Sequence, residues 1–137
     1  MSLVLDGSVT LAWCFSDETT PVVDEVMLRA ARSGAVVPSI WRLEVANGLR
    51  SAIRRRRLTT LARDDLLAAF TEMRIDTDVE TDRQAWTTTL ILADRHALPP
   101  YDASYLDLAC RRRMPLASLD RALRSAAEAE DVPLLGL

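Results

Sequence analysis

Four carboxylates stand where an α/β fold would deliver them to a single cleft. They are Asp6, closing Leu3-Val4-Leu5-Asp6; Glu44, in Leu43-Glu44-Val45-Ala46-Asn47; Asp102, in Pro100-Tyr101-Asp102-Ala103; and Asp120, ending Leu116-Ala117-Ser118-Leu119-Asp120. A folded chain does not gather four negative charges without a counter-charge, because desolvation and mutual repulsion would protonate some of them. The natural counter-charge is a hard divalent cation, which takes oxygen ligands. The chemistry this points to is Mg²⁺- or Mn²⁺-assisted attack on phosphate esters. With no Lys and a single His, a metal-activated water has to supply most of the base function.

Other chemistries fail on residue type. There is no Gly-x-Gly-x-x-Gly run, and a P-loop is excluded because the chain has no Lys. A phosphatase with an aspartyl nucleophile at Asp6 would carry a second Asp two residues on, where this chain has Ser8. A receiver domain would need a Lys after a late strand. His96 has no His or Cys partner at ligand spacing and reads as a helix-end residue.

The elements that must position the acids alternate between short apolar runs and helical stripes. Leu3-Val4-Leu5 reads as a buried strand without polar alternation. A helix carrying Val23, Val26, Met27, Ala30 and Ala31 stops at Ser33-Gly34, and Ala35-Val36-Val37 is a second strand closed by Pro38. Helix 40–56 follows with Trp41, Val45, Leu49, Ala52 and Ile53 on one stripe, which puts Glu44 at the stripe's edge. Thr60 is expected to cap the next helix, which carries Leu66, Leu67, Phe70 and Met73, and Arg74 to Val79 is an outer strand. Helix 82–96 presents Trp86, Leu90 and Ala93. A new helix opens at Asp102, where a carboxylate also suits capping. Leu116 to Leu119 is a strand, 121–130 an Ala-rich helix, and Val132 to Leu135 an edge strand.

This order predicts an α/β fold, a three-layer α/β/α sandwich with a mostly parallel sheet. In such sheets ligands bind beyond the carboxyl ends of the strands, where strand order reverses. Asp6 and Asp120 both follow apolar strands into that region.

Length and charge set the remaining bounds. At 137 residues the chain is expected to be one domain, 1–137, with one core. No apolar run is long enough to span a bilayer, no leader precedes Asp6, and a cytoplasmic location is expected. Cys14 and Cys110 lack metal-ligand spacing and read as reduced, packed thiols. A net charge of −3 provides no global field for nucleic acid, but all 17 basic residues are Arg and they cluster at Arg54, Arg55, Arg56, Arg57 and at Arg111 to Arg113. An Arg run at a helix end is either a solvated terminus favoured by the helix dipole or a phosphate or partner contact.

Taken together, Val4-Leu5-Asp6-Gly7-Ser8-Val9, Leu43 to Leu49, Tyr101 to Ala109 and Ser118-Leu119-Asp120-Arg121-Ala122-Leu123 resemble the four motifs of PIN-domain nucleases, most closely the VapC-type toxins of bacterial toxin–antitoxin pairs. The resemblance covers essentially the whole chain. It implies Mg²⁺-dependent cleavage of single-stranded or looped RNA (tRNA, rRNA or mRNA), with Mn²⁺ able to substitute. It also implies homodimers and a small antitoxin whose tail covers the active site. Asp6, Glu44, Asp102 and Asp120 match the family's acids, and Ser8, Asn47 and Ser118 match polar positions that orient ligands or bind phosphate. Asp107 lies about 140° round the helix from Asp102 and is expected to face elsewhere and form a salt bridge; Asp17 and Asp94 read as solvated surface acids. Two alternatives stay open: an RNA-processing nuclease with no antitoxin, and a catalytically silent RNA- or antitoxin-binding module.

Overall fold

Leu3, Val4 and Leu5 are fully buried, as an apolar strand covered on both faces must be. They form β1 (Leu3–Leu5), which pairs in parallel with β2 (Ala35–Val37) on one side and β4 (Leu116–Ala117) on the other. The edge strands β3 (Ile75–Thr77) and β5 (Leu134–Leu135) complete a five-stranded, all-parallel sheet of order β3-β2-β1-β4-β5. The structure is a computed structural model describing residues 2–137.

The helices are α1 (Gly7–Trp13), α2 (Pro21–Ser33), α3 (Trp41–Arg54), α4 (Thr60–Glu72), α5 (Thr81–Gln84), α6 (Thr88–His96), α7 (Pro100–Arg112) and α8 (Arg121–Ala129). From β1 the chain steps outward through β2 to β3, then returns across the sheet to β4 and β5. With right-handed crossovers, the first half places α1 to α4 on one face and the second half places α5 to α8 on the other. The packing agrees: α1 lies on α2 and α3, while α7 lies on β1, α6 and α8. The strand order reverses between β1 and β4, the position where parallel sheets open a ligand crevice. The α/β sandwich expected from the sequence is therefore present.

Four local expectations are corrected. Helix α1 has no counterpart in the sequence reading; it follows directly on Asp6, and it approaches α3 closely because a Cβ on Gly48 would lie 2.5 Å from Leu11 Cδ1. Helix 82–96 is two helices, α5 and α6, broken at Thr87 (φ −119°, ψ −101°). Trp86 falls in that break and is 89% exposed, so it presents no face to the core. Thr59, not Thr60, caps α4, its side chain accepting from the Ala62 N–H at 3.1 Å. Helix α7 starts at Pro100, where a proline costs no hydrogen bond, and Asp102 makes no capping bond. Among the described residues no helix is long and apolar enough to cross a membrane.

Candidate active site

Asp6 leaves β1 at its carboxyl end and is buried, 5% exposed. Its Oδ2 accepts hydrogen bonds from the Ser8 hydroxyl at 2.6 Å and the Ser118 hydroxyl at 2.7 Å. Each hydroxyl in turn accepts from the connection between β4 and α8: Ser8 Oγ from the Leu119 N–H and Ser118 Oγ from the Asp120 N–H, both at 3.0 Å. Ser8 and Ser118 thus tie the ends of β1 and β4 together and fix one Asp6 oxygen, and the Ser8 backbone N–H adds a further hydrogen bond to the carboxylate.

The other acids arrive from both helical layers. Glu44 projects from α3 over the start of α1, where a Cβ on Gly7 would come within 3.2 Å of Glu44 Oε2. That oxygen accepts from the Tyr105 hydroxyl at 3.2 Å. Glu44 Oε1 is buried and has no hydrogen-bond partner among the described residues. Asp102 comes from the first turn of α7 and is half-buried. Asp120 is the N-cap of α8, its Oδ1 accepting from the Leu123 N–H at 2.8 Å. The capping role that the sequence offered to Asp102 belongs to Asp120.

The four acids feel one another. Burial, then the nearby Asp120 charge, pushes the Asp6 carboxyl above its usual range against the pull of its two serine hydrogen bonds. Burial lifts Asp102 too, aided by Asp120 and Asp6. Glu44 is pushed up to about 7, first by burial and then by Asp6 and Asp102. Burial, with Glu44 and Asp6 beside it, raises the Tyr105 phenol, which keeps its proton and remains a donor to Glu44.

Glu44 therefore imposes a pH dependence on the metal-free protein. Its carboxyl titrates near 4.5 when unperturbed and at about 7 in the fold, so between those values the unfolded chain has shed a proton that the native state retains. The stability contribution is fully present below pH 4.5 and is lost as pH rises through about 7. Glu44→Gln is expected to flatten this decline when urea midpoints are compared at acid and alkaline pH in EDTA. An equally steep decline in the variant would show that Glu44 is not the titrating group.

The remaining candidates divide. Asn47, on the next turn of α3, is exposed and lines a groove shared with Glu44 and Asp102. The Arg run does not act as one unit. All four Arg are exposed, but Arg57 is bound to Asp17 and Glu18 and lies over the Phe15 ring, 4.4 Å from its centroid. Asp17 is accordingly a salt-bridge partner and not merely solvated, while Asp94 is exposed. His96 ends α6 and pairs with Glu130 at 2.7 Å. Burial drives the Cys14 thiol up to about 12 and raises Cys110, so both are inert free thiols.

Two features escaped the sequence reading. Tyr105 holds Glu44, and its only sequence signal is its place one helical turn after Asp102. Asp78 lies buried with Asp107, both bound by Arg111 at 2.6 and 2.7 Å, so Asp107 forms its salt bridge away from the acids.

As they stand, the described His, Cys, Asp and Glu side chains form no group of three or more set to hold a metal ion. One oxygen of Asp120 is committed to the α8 cap and one of Asp6 to two serines, and uncompensated carboxylates repel. The donor set still fits a hard divalent cation. It is all oxygen, and Glu44 Oε1 is a buried charge-bearing atom that no protein group satisfies.

The all-parallel sheet carries Asp6 just past β1 and Asp120 beyond β4, on either side of its switch point. The PIN domain family model matches residues 3–129, and the chain belongs to the PIN domain family. Among solved structures, the crystal structure of PAE2754 from Pyrobaculum aerophilum matches with a TM-score of 0.68 and 19% identity over 92% of this chain and 84% of that chain, a likeness of fold. No curated protein matched the sequence.

Proposed function

We propose that this protein is a divalent-metal-dependent endoribonuclease, a single nuclease domain spanning 1–137 whose site is Asp6, Glu44, Asp102 and Asp120. The observation that carries this reading is the unsatisfied Glu44 Oε1, beside carboxyls of Glu44 and Asp102 that burial, and then the neighbouring acids, raise. Such a cleft lacks its counter-charge, and Mg²⁺, or Mn²⁺ in its place, is the ion its oxygens suit. Bound there, the ion would supply an activated water and neutralise charge on the scissile phosphate. Asp6 and Asp102 would be direct ligands, with Asp120 and Glu44 beside them. The chain's own work is positioning. Ser8 and Ser118 clamp Asp6, the α8 cap fixes Asp120, and Tyr105 holds Glu44 Oε2, which leaves Oε1 as the oxygen that would serve as a ligand. The motif resemblance extends the proposal to a VapC-type toxin: a cytoplasmic homodimer neutralised by a small antitoxin.

The test is incubation of end-labelled single-stranded RNA with the protein in Mg²⁺ and in EDTA. Cuts leaving a 5′-phosphate and a 3′-hydroxyl, in Mg²⁺ alone, are expected. Intact RNA in both conditions would overturn the reading.

Arg54, Arg55 and Arg56 are assigned the approach path. Arg54 ends α3 and Arg55 is its C-cap, about 16 Å along the axis from Glu44, and bare Arg side chains there offset the repulsion of an acidic cleft. Arg54→Glu with Arg55→Glu is expected to weaken RNA binding and reduce the salt slope by about 0.7 per lost contact. Arg57→Glu should instead lower the melting temperature, because it breaks the contacts to Asp17, Glu18 and Phe15. An unchanged slope in the double variant would return Arg54 and Arg55 to solvent.

A further inference from the structure

Beside the acids runs a groove of about 400 Å³, within the size range of small-ligand sites. One wall is the stripe Ile40, Leu43, Glu44 and Asn47, spaced along one face of α3; the other is Tyr101 and Asp102 at the start of α7. Leu43 is 74% and Tyr101 68% exposed, a large apolar investment next to charged residues. Tyr101 is also held firmly, since it follows Pro99-Pro100 and is the second residue of α7.

We propose that this groove is a nucleobase subsite: Tyr101 stacks on the unpaired base next to the scissile phosphate, and Asn47 hydrogen-bonds that base's edge. The inference rests on the ribonuclease reading above and adds to it a base-binding position on this chain. The groove's lining offers no cationic side chain to hold a second phosphate, so a neutral group fits it. A substrate whose phosphate sits at Asp102 necessarily places its adjoining nucleoside beside Tyr101, the preceding residue. Aromatic rings take bases face on, and Leu43 and Ile40 supply the apolar floor. The exposed Asn47 amide both donates and accepts, which matches the edge of a base and has no use against an aliphatic group. A paired base in A-form RNA cannot present its face, so the site selects single strands and loops.

The test uses Asp6→Asn protein in Mg²⁺, where bound RNA stays intact, and a 12-nucleotide single-stranded RNA carrying 2-aminopurine at each position in turn. One position is expected to lose fluorescence on binding. Adding Tyr101→Ala should abolish that change and weaken binding roughly 5- to 150-fold, the worth of one stacked base. Tyr101→Phe should retain both, and an abasic residue at the responsive position should weaken binding to Tyr101-containing protein by the same factor. Tyr101 is exposed, so the melting temperature should not move. Equal binding by the Tyr101→Ala protein, or an unchanged fluorescence response, would overturn the subsite and leave the groove to an apolar side chain of a protein partner. The two readings fail separately: RNA left uncut by the unsubstituted protein sinks the nuclease assignment, whereas normal cleavage with Tyr101→Ala indistinguishable from the parent sinks this inference alone.

Discussion

Asp6→Asn is expected to remove RNA cleavage while leaving the fold as stable as before, or more so. Asn can turn its carbonyl oxygen toward Ser8 and Ser118 and keep both hydroxyl bonds that Asp6 Oδ2 accepts. What it loses is a buried negative charge that desolvation and Asp120 already oppose. Relieving that opposition stabilises the metal-free protein. Cleavage should fall by about 10²–10³-fold or more, since ligation of the ion and charge neutralisation at the phosphate are each worth several kcal/mol. Activity and stability therefore move in opposite directions, as expected of a site held under electrostatic strain. Rate measurements and thermal melts on the same preparation check this. Full activity with a lowered melting temperature would make Asp6 a structural residue.

The largest effect on stability should come from a residue far along α7 from Asp102. Arg111 Nε donates to Asp107 Oδ2 at 2.7 Å and Arg111 Nη2 to Asp78 Oδ2 at 2.6 Å. Both carboxylates are almost completely buried, 2% exposed. Thr88 adds a bond to Asp107 Oδ1 at 2.6 Å, and the Glu80 N–H and the Thr81 hydroxyl contact Asp78. This cluster joins the turn after β3, the start of α6 and the body of α7. Burial alone would lift the Asp78 carboxyl, yet the Arg111 hydrogen bond and charge hold it below its usual range. Asp78 therefore contributes stability above its ordinary pKa of 3.8, and that contribution is lost only as pH falls through a lower value. Arg111→Ala strands two buried negative charges, a change that costs about 3–5 kcal/mol. In a domain of this size the melting temperature should drop by roughly 10–20 °C. Arg111→Ala combined with Asp78→Asn and Asp107→Asn should recover most of the loss, because no uncompensated charge remains. If the single variant melts within a degree or two of the parent, the cluster is not the lock between α6 and α7 that its geometry describes.

The legible parts of the sequence were those where one chemical type had one structural use. Leu3-Val4-Leu5 and Ala35-Val36-Val37 have no polar alternation and could only be strands covered on both faces, and Asp6 follows the first of them. The positions of the acids were legible in part: Asp6 and Asp120 do follow β1 and β4, but Asp120 also spends one oxygen on the α8 cap. Helix α1 was not legible because it opens on Gly7-Ser8 and is only seven residues long. Its reason lies in packing, with Gly48 admitting Leu11 and Gly7 leaving room for Glu44. The break at Thr87 lies in a run of threonines whose pattern still resembled a helix. Asp78 and Arg111 were hidden in turn: an Asp after a strand looks solvated, and an Arg in a run looks like a helix terminus. Only the tertiary fold brings the two together. Asp120 and Asp102 both stand near helix starts, and sequence could not tell which of them caps.

Binding of Mn²⁺ bears most directly on the claim that the four carboxylates form a divalent-metal site. Free Mn²⁺ is followed by its paramagnetic resonance signal as unsubstituted protein, and then Asp6→Asn, Glu44→Gln, Asp102→Asn and Asp120→Asn, are added. The expected result is saturable uptake by the unsubstituted protein, tighter at pH 8 than at pH 6 because Glu44 must first release a proton. Losing a direct ligand, Asp6 or Asp102, should weaken it about tenfold or more, and losing Glu44 or Asp120 by a smaller but measurable factor. Absence of uptake, or uptake that none of the four substitutions alters, would contradict the assignment.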